Sequence, residues 1–406
     1  MRQPLSPARS QRGGHLLIGQ SGGATAVINA SLVGAIRAAL VSECIDGIYG
    51  MRYGIRGALI QDLIDLRALP MDGLDSLRDT PSAALGSCRY RLTDEEASRV
   101  VGNLRGLGVR YVAYIGGNDS ADTAIKLTEA AAVTGYDLGV ICVPKTIDND
   151  LHGTDHCPGY GSAARFLALA TMDSTLCTLA MPDHYPVKII EVMGRDAGWL
   201  VAACALGKQR DEDAPHLLYF PERPFSRQRF LEDVRAAYER YGYVVVAIAE
   251  TVREEDGRQL GEVAAQGSDA FGHKLLGGAA QALVDLVRTE LGLRARFDKP
   301  GDLQRMSSCA VSTVDRAEAE MVGSAAVDAL LRGETGQMVT LARRPGASYG
   351  CDTGLTPLAT VANQHRPLPP EFIAADGRGV TEAFRSYALP LIGGPLPTYA
   401  RLIGVK

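Results

Sequence analysis

A repeated order of apolar strand, glycine-rich turn and helix constrains the fold of this chain more than any other feature of its sequence. The apolar run at residues 15–19 leads into Ser21-Gly22-Gly23. The run at residues 109–115 leads into Gly116-Gly117-Asn118-Asp119-Ser120, and a helical pattern follows each turn. Buried strands that alternate with helices are typical of mainly parallel sheets with helices on both faces. We therefore predict an α/β fold.

Further apolar runs extend this pattern. The run at residues 138–143 ends at Pro144-Lys145, and the run at residues 187–192 ends at Met193-Gly194-Arg195; two shorter runs follow before residue 250. In open parallel sheets, ligands bind at the carboxyl ends of the strands. Because glycines and charged residues follow these strands directly, we expect the active site at these strand ends.

Length and composition exclude several classes of protein. The chain has 406 residues, which favours two domains, and a formal net charge of −5, which argues against binding nucleic acid or an anionic membrane through overall charge. No apolar run approaches the ~18 residues of a membrane span, and the N-terminus lacks the apolar core of a secretory signal. The eight cysteines are scattered without a CxxC pair, so we predict reduced thiols and a cytoplasmic protein.

The Gly22-Gly23 pair is the first candidate for a phosphate-binding turn. Paired glycines that open a helix let backbone N–H groups approach an anion, and the helix dipole favours negative charge there. A tight turn between packed elements explains the pair equally well. The segment lacks the G-K-[ST] ending of a P-loop and the full GxGxxG fingerprint, so neither standard nucleotide motif is present.

Asn118 and Asp119 are candidate ligands for a metal ion. Their side-chain oxygens suit hard cations such as Mg²⁺, which proteins usually hold with few ligands plus substrate phosphates. The alternative is that Asp119 or Ser120 caps the next helix. Both roles are compatible with the sequence.

The densest polar cluster of the chain spans residues 144–150, Pro-Lys-Thr-Ile-Asp-Asn-Asp. It follows a strand and offers one cation, Lys145, and two carboxylates, Asp148 and Asp150. In an extended segment these carboxylates share a face, so one can act as a base while the other orients it or binds metal through water. A chance turn rich in Asp and Asn is the alternative.

Four arginines are candidate phosphate ligands. Arg195 directly follows a strand, where a guanidinium can bind a phosphate through two hydrogen bonds. Arg89 follows another glycine turn, and Arg296 and Arg305 lie near each other in the chain. Taken singly, each is explained as well by a surface position.

Together these segments resemble the phosphofructokinase family. SGGATAVINAS, GGNDS, PKTIDND, EVMGR, AIAE and the stretch from Arg296 to Leu303-Gln304-Arg305 occur in the order and approximate spacing of that family, from about His15 to the end of the chain. Within the family the chain is similar to the pyrophosphate-dependent members. ATP-dependent members typically have GGDG and PGTIDND, with glycines where this chain has Asp119 and Lys145, and the C-terminal pattern from Glu371 also resembles the longer pyrophosphate-using members.

The resemblance implies two Rossmann-like α/β domains with mainly parallel sheets and an active site in the interdomain cleft. Residues 14–162 plus about 310–345 would bind pyrophosphate and Mg²⁺. Residues 163–309 plus about 346–406 would bind the sugar phosphate and carry a loop-rich C-terminal extension, after a disordered tail at residues 1–13. The implied reaction is reversible: pyrophosphate and fructose 6-phosphate give fructose 1,6-bisphosphate and phosphate.

The resemblance also implies a role for each candidate residue. Asp148 would take the proton from the 1-hydroxyl of the sugar, with Asp150 in support, and Arg89 would lie near the transferring phosphoryl group. Pyrophosphate would contact Gly23, Asp119 and Lys145, and Mg²⁺ would contact Asn118 or Asp119. The sugar phosphate would contact Thr146, Ile147, Asp148, Asp150, Met193, Gly194, Arg195, Glu250 and Arg305. Arg296 would reach a neighbouring subunit's site, which implies a homodimer or homotetramer with shared active sites.

Physical reasoning favours pyrophosphate over ATP. Two glycines would leave room for the α-phosphate and ribose of a nucleotide, whereas Asp119 and Lys145 fill that space and Lys145 adds a point charge. Phosphoryl transfer depends on alignment and charge neutralisation, which the five cations Arg89, Lys145, Arg195, Arg296 and Arg305 would supply. The alternatives are an ATP-dependent enzyme and a catalytically silent sugar-phosphate sensor, and the length of the sugar (fructose 6-phosphate or sedoheptulose 7-phosphate) stays open.

Three departures from the family pattern accompany the resemblance. Asn118 stands where many members have an Asp that binds magnesium. Ala24 and Thr25 replace an Asp-containing turn of the ATP-dependent members, which weakens the nucleotide interpretation further. Pro186 stands where a second intersubunit Arg is expected, with Lys188 as a possible substitute.

Overall fold

The computed structural model describes residues 13–261, 278–346 and 348–400. The chain forms two compact units, and most contacts between residues lie within one unit or the other. The first unit comprises residues 1–146, 151–159 and 316–365, and the second comprises residues 147–150, 160–315 and 366–406. Most of the predicted disordered tail, residues 1–12, lies outside the described residues. Each unit contains one sheet with helices packed against it.

The strands of the described residues are β1 (Gly14–Gln20), β2 (Ile45–Met51), β3 (Leu63–Asp65), β4 (Val109–Gly116), β5 (Gly139–Pro144), β6 (Val187–Val192), β7 (Leu217–Tyr219), β8 (Val244–Ala249), β9 (Ala295–Asp298), β10 (Gln337–Arg343) and β11 (Cys351–Pro357). The helices there are α1 (Ile28–Leu40), α2 (Ile55–Ile60), α3 (Met71–Asp79), α4 (Asp94–Gly106), α5 (Asn118–Val133), α6 (Tyr160–Ala180), α7 (Trp199–Ala203), α8 (Arg227–Tyr241), α9 (Ala279–Leu291), α10 (Leu303–Met306), α11 (Thr313–Leu331), α12 (Leu358–Val361) and α13 (Glu382–Ala388).

The first unit is built on a seven-stranded sheet with the order β11-β10-β5-β4-β1-β2-β3. Neighbouring strands from β10 to β2 run parallel, and only the edge pairs β10–β11 and β2–β3 are antiparallel. The second unit has a wholly parallel sheet with the order β7-β8-β6-β9. The predicted fold class, two α/β units with mainly parallel sheets, is confirmed.

Both faces of the first sheet are buried, which explains why its strands are apolar at nearly every position. Leu17 of β1 belongs to a core shared with α2, α4, α5 and α12. Leu16 and Ile18 point to the other face, into a core shared with α1, α3 and α11. Each such side chain is fully buried and contributes about 1.5–3 kcal/mol to folding. Because both faces of the sheet are packed, the ends of its strands, which carry the polar loops, are held in defined positions.

The second sheet is covered in the same way. Every residue of β6 and β8 is buried, α6 and α9 pack on β6, and α8 packs on β8. Helix α8 begins after Ser226, whose hydroxyl accepts a hydrogen bond from the backbone N–H of Arg229. It ends at Gly242, which has the left-handed conformation that commonly terminates helices.

The predicted domain boundaries differ from the observed units in several places, of which two are the most informative. Residues 348–365 belong to the first unit, because β11 pairs with β10 along its whole length and α12 follows it. Pro345 precedes this strand and Pro357 is its last residue, so neither interrupts it, and the number of prolines wrongly suggested a loop-rich appendage. Residues Ile147–Asp150 belong to the second unit, although the chain on either side belongs to the first.

Two further observations concern predictions made from composition. No helix in the described part of the chain is long and apolar enough to cross a membrane. All eight cysteines are free thiols, as predicted, and the cytoplasmic location stays a prediction.

Candidate active site

Strand register brings the polar loops of the first unit together. Gly116 pairs with Pro144 at the ends of β4 and β5, and Gln20 pairs with Ile115 at the ends of β1 and β4. Three strands therefore end side by side. The loops that follow are joined directly: the N–H of Lys145 donates to the carbonyl of Gly116 at 3.0 Å.

The turn at Gly22-Gly23 does not open a helix, contrary to the prediction. Helix α1 starts only at Ile28, after a loop from residue 21 to residue 27. Gly22 has φ +75°, a left-handed conformation that favours glycine. Its N–H donates to the carbonyl of Cys88 at 3.2 Å, and the hydroxyl of Ser87 donates to its carbonyl at 2.6 Å. The turn is therefore fixed by the loop that carries Arg89 and not by a helix.

Lys145 lies against this glycine turn. Its side chain is buried, with the residue 4% exposed, and its ammonium donates to the carbonyl of Gly23 at 2.8 Å. A Cβ atom added at Gly22 would lie 3.1 Å from the same Nζ atom. A buried cation is costly unless it is paired or hydrogen-bonded. Lys145 thus places one positive charge at the turn that we predicted to bind a phosphate.

Helix α5 begins at Asn118 after its N-cap Gly117, so neither Asp119 nor Ser120 is the helix cap that was considered as an alternative. The Asn118 side chain is used locally: its oxygen accepts from the N–H of Asp119 at 2.8 Å, and its nitrogen lies 3.2 Å from Nδ1 of His365. The half-buried Asp119 carboxylate has no hydrogen bond or ion pair with the residues that the structure describes. Of the two candidates, Asp119 has the free oxygens.

In the second unit, Asp148 and Asp150 flank a backbone kink. The buried Asn149 between them has φ +55°, a left-handed conformation that is uncommon outside glycine. Its carbonyl accepts from Nη2 of Arg366 at 2.8 Å, and its side-chain amide donates to the hydroxyl of Tyr387 at 2.9 Å. Neither Arg366 nor Tyr387 was among the site residues predicted from the sequence.

Glu250 follows β8 and lies within electrostatic range of Asp148. Burial and the negative charges of Asp148 and Glu191 together raise the pKa of Glu250 to about 7, with Lys299 and Arg195 acting in the opposite direction. A carboxyl group with this pKa is partly protonated at neutral pH. It is able to donate a hydrogen bond to a sugar hydroxyl as well as accept one.

The segment Met193-Gly194-Arg195 follows β6 as predicted, and two contacts hold it. Gly194 and Arg195 have φ angles of +124° and +48°, and the hydroxyl of Thr251 donates to the carbonyl of Arg195. The N–H of Met193 donates to the side-chain oxygen of Gln304 at 3.2 Å. Gln304, for which no role was predicted, thereby ties this turn to the segment that carries Arg305.

Arg305 and Arg296 differ in their surroundings. Arg305 pairs with Asp302 at 2.6 Å, but its buried Nε has no hydrogen-bond partner in the described part of the chain. A buried donor of this kind fits an anionic oxygen. The exposed Arg296 lies on β9, with its guanidinium carbon 3.3 Å from the centre of the Tyr185 ring. The proposed substitute Lys188 is buried and bonded to Asp298 at 3.1 Å.

The candidate residues therefore form two groups, one in each unit. The first unit holds Gly23, Arg89, Asn118, Asp119, Lys145 and Thr146. The second unit holds Ile147, Asp148, Asp150, Met193, Gly194, Arg195, Glu250, Arg296 and Arg305. The first group offers cations and a free carboxylate, and the second offers carboxylates beside arginines, which suits the binding of two phosphorylated molecules.

Comparison with known proteins identifies the class to which this fold and these residues belong. A sequence model of the family described as Phosphofructokinase matches residues 15–330. The chain belongs to the phosphofructokinase family, and the predicted resemblance is confirmed.

Individual relatives narrow the class further. The chain is 42% identical to the pyrophosphate–fructose 6-phosphate 1-phosphotransferase of Xanthomonas campestris pv. campestris, over 95% of this chain and 93% of that protein. It is 40% identical to the protein of the same name from Halomonas elongata, over 92% of this chain and 91% of the other. The crystal structure of the pyrophosphate-dependent phosphofructokinase from Marinobacter aquaeolei superposes with a TM-score of 0.85 at 37% identity, covering 95% of this chain and 94% of that one.

Proposed function

We propose that this chain transfers a phosphoryl group from pyrophosphate to the 1-hydroxyl of fructose 6-phosphate, giving fructose 1,6-bisphosphate and phosphate in a reversible reaction. The observation that carries the proposal is the position of Lys145, whose buried ammonium is bonded to Gly23 at the glycine turn. The names of the relatives, which are identical to this chain at about two positions in five, support the same donor and acceptor.

Lys145 and Asp119 favour pyrophosphate as the donor. The Lys145 side chain occupies the space beside Gly22 and Gly23, where a larger nucleotide would need room. Its charge stabilises the phosphate oxygens that pyrophosphate places there. Arg89, in the loop bonded to Gly22, supplies a second cation for the phosphoryl group as charge develops on it.

The residues of the first unit fit a magnesium ion. Mg²⁺ prefers oxygen ligands and is usually held by one or two carboxylates plus substrate phosphates. The half-buried Asp119 carboxylate offers free oxygens to such an ion, while the Asn118 oxygen already accepts a hydrogen bond. When bound, Mg²⁺ would neutralise charge on the pyrophosphate oxygens, and we assign it to Asp119.

The second unit activates and binds the sugar phosphate. Asp148 accepts the proton of the 1-hydroxyl as the oxygen attacks phosphorus, and Asp150 supports it. Glu250, with its pKa near 7, bonds to a sugar hydroxyl in either protonation state. Arg195 and the free Nε donor of Arg305 bind the phosphate of the sugar. Ile147, Met193 and Gly194 line the same sugar.

An oligomer completes the proposal. Arg296 is exposed on β9, the edge strand of the second sheet, and its guanidinium lies over the Tyr185 ring. An exposed arginine held in one orientation is suited to bind the sugar phosphate of a neighbouring copy, so we expect a homodimer or homotetramer. Light scattering coupled to gel filtration measures this directly.

A donor-by-sugar activity matrix on the full chain tests the proposed function. Pyrophosphate and ATP are each offered with fructose 6-phosphate and sedoheptulose 7-phosphate, and bisphosphate formation is measured with Mg²⁺ present. We expect turnover with pyrophosphate and fructose 6-phosphate and little with ATP. Preferential use of ATP would support the first alternative. Binding of fructose 6-phosphate without turnover would support the silent sensor.

A further inference from the structure

The kink at Asn149 controls the direction of the two carboxylates beside it. Asp148 and Asp150 are its immediate neighbours, so the backbone angles of Asn149 decide where each side chain points. The residue has φ +55°, a left-handed conformation that costs free energy for residues other than glycine; asparagine adopts it more readily than most, and surrounding contacts stabilise it. Asn149 is also completely buried, so those contacts come from the protein itself.

Arg366 supplies the contacts that hold this kink. Its guanidinium donates to the carbonyl of Asn149 through Nη2 at 2.8 Å and through Nε at 3.3 Å. Its backbone N–H donates to the carbonyl of Asp150 at 2.8 Å. Hydrogen bonds from a charged donor are stronger than neutral ones, and two donors on one carbonyl restrict its rotation. A single residue therefore fixes both peptide groups that follow the kink.

Arg366 is itself held by aromatic side chains. Its guanidinium carbon lies 4.8 Å from the centre of the buried Trp199 ring, and the indole N–H donates to the Arg366 carbonyl at 3.3 Å. Tyr387 packs beside Trp199, with ring centres 5.3 Å apart, and its hydroxyl accepts from the Asn149 side chain. The kink is thus bonded to both Arg366 and Tyr387 in one packed cluster.

Both residues come from the C-terminal part of the chain. The family match ends at residue 330, and Arg366 and Tyr387 lie beyond it. We infer that this C-terminal region positions the proposed base: Arg366, with Tyr387, holds the left-handed conformation of Asn149 and thereby directs the Asp148 carboxylate. Arg366 is a positioning residue and acts through Asn149. The inference rests on the proposed function, in which Asp148 accepts the proton of the sugar hydroxyl.

Kinetic analysis of Arg366→Ala tests this inference. Removing the guanidinium lets the kink relax and moves the base, and a displacement of about 1 Å can cost 10²-fold in rate. We expect kcat to fall about 30- to 300-fold, with the KM for each substrate changing less than about threefold. Added guanidinium should restore part of the lost kcat. Tyr387→Phe, which removes one hydroxyl, should lower kcat by a smaller factor of about 3–10.

Arg165→Ala is the matched control. Arg165 also donates from a guanidinium to backbone carbonyls of the C-terminal region, those of Ile392 and Gly394, each at 3.1 Å. We expect this variant to lower the melting temperature as Arg366→Ala does and to keep kcat within about twofold. An equal loss of kcat in Arg165→Ala, or a kcat for Arg366→Ala within threefold of wild type, would overturn the inference.

Two provisions separate this test from that of the proposed function. Each kcat is measured with the donor and sugar that the wild-type chain turns over. A wrong donor therefore overturns the proposed function and leaves this test intact, whereas a wild-type chain without any turnover overturns both.

If Arg366→Ala does not fold, the variants Arg366→Lys and Tyr387→Phe are used to test the inference instead. A loss of kcat without a rise in KM supports the inference, and an unchanged kcat in both overturns it.

Discussion

His156 bonds to Glu318 through Nε2 at 2.7 Å, and its other ring nitrogen lies 2.8 Å from the Asp155 carboxylate. All three residues belong to the first unit, and the imidazole is almost completely buried. Tyr349 also donates to Glu318, and Arg343 pairs with Asp155 at 3.3 Å. The ring thus joins the loop after β5 to helix α11, and its charge state affects the stability of the fold.

The first prediction concerns this histidine. Burial lowers the pKa of His156, but the hydrogen bonds to Asp155 and Glu318 outweigh it and raise the pKa overall. A raised pKa stabilises the fold below the ordinary value of about 6.5, and that stabilisation is lost as pH rises through the folded-state pKa. We expect His156→Gln to lower the melting temperature by about 5 °C at pH 6 and by less than half of that at pH 9.

The exposed His184 provides the control for this measurement. His184→Gln should change the melting temperature by no more than about 1 °C from the wild-type value at both pH 6 and pH 9. An effect of His156→Gln that is equal at pH 6 and pH 9 would mean that the pKa of the ring is not raised in the folded protein.

The second prediction concerns the donor. Lys145→Gly removes the charge beside Gly23, and the loss of one charge-assisted phosphate contact should lower kcat/KM for pyrophosphate by roughly 30- to 1000-fold. Lys145→Met, which keeps most of the volume without the charge, should lose activity to a similar degree. An unchanged kcat/KM in Lys145→Gly would contradict the role of the lysine. Use of ATP by the double variant Asp119→Gly plus Lys145→Gly would support the steric argument.

The third prediction concerns the base. Asp148→Ser removes the carboxylate and keeps a small polar side chain at the turn, so kcat should fall about 10²–10⁴-fold in both directions with little change in KM. Asp150→Ser should have a smaller effect. Retention of more than a tenth of kcat by Asp148→Ser, together with inactivation by Asp150→Ser, would show that the two roles are reversed.

The fourth prediction concerns magnesium. Asp119→Asn removes the charged oxygens assigned to the ion, so the Mg²⁺ concentration that gives half-maximal activity should rise about tenfold or more. Asn118→Ala should change this concentration less, because the Asn118 oxygen is bonded within the chain. Asp122→Asn, one turn further along α5, is the control. A larger effect at Asn118 than at Asp119 would assign the ion to the asparagine.

Strands and their polar ends could be predicted because both depend on local sequence. The strand predicted at residues 187–192 coincides with β6, since a fully buried strand is apolar at every position and is bounded by turn residues. The start of α1 was misplaced, because Ala24–Val27 are helix-compatible residues that instead form the end of a loop. Strand β11 was missed because of Pro345 before it and Pro357 at its end, since prolines are uncommon in strands.

The supporting residues of the site could not be predicted from local sequence. Arg366 contacts Asn149 across 217 positions of the chain, and nothing near Arg366 indicates which carbonyl it binds. The same holds for His365 beside Asn118 and for Gln304 beside Met193. A single sequence indicates which side chains are able to do chemistry. Which residues fix them in place depends on tertiary contacts.

The late position of α11 has a consequence for synthesis of the protein. Val322 and Ala326 of α11 cover the face of the first sheet that carries Leu16 and Ile18. A ribosome that adds about 5–20 residues per second takes on the order of 15–60 s to proceed from β1 to α11. During that interval the nascent chain exposes this apolar face to other molecules. We therefore expect the newly made polypeptide to depend on chaperones until α11 emerges, even though the finished protein buries those side chains completely.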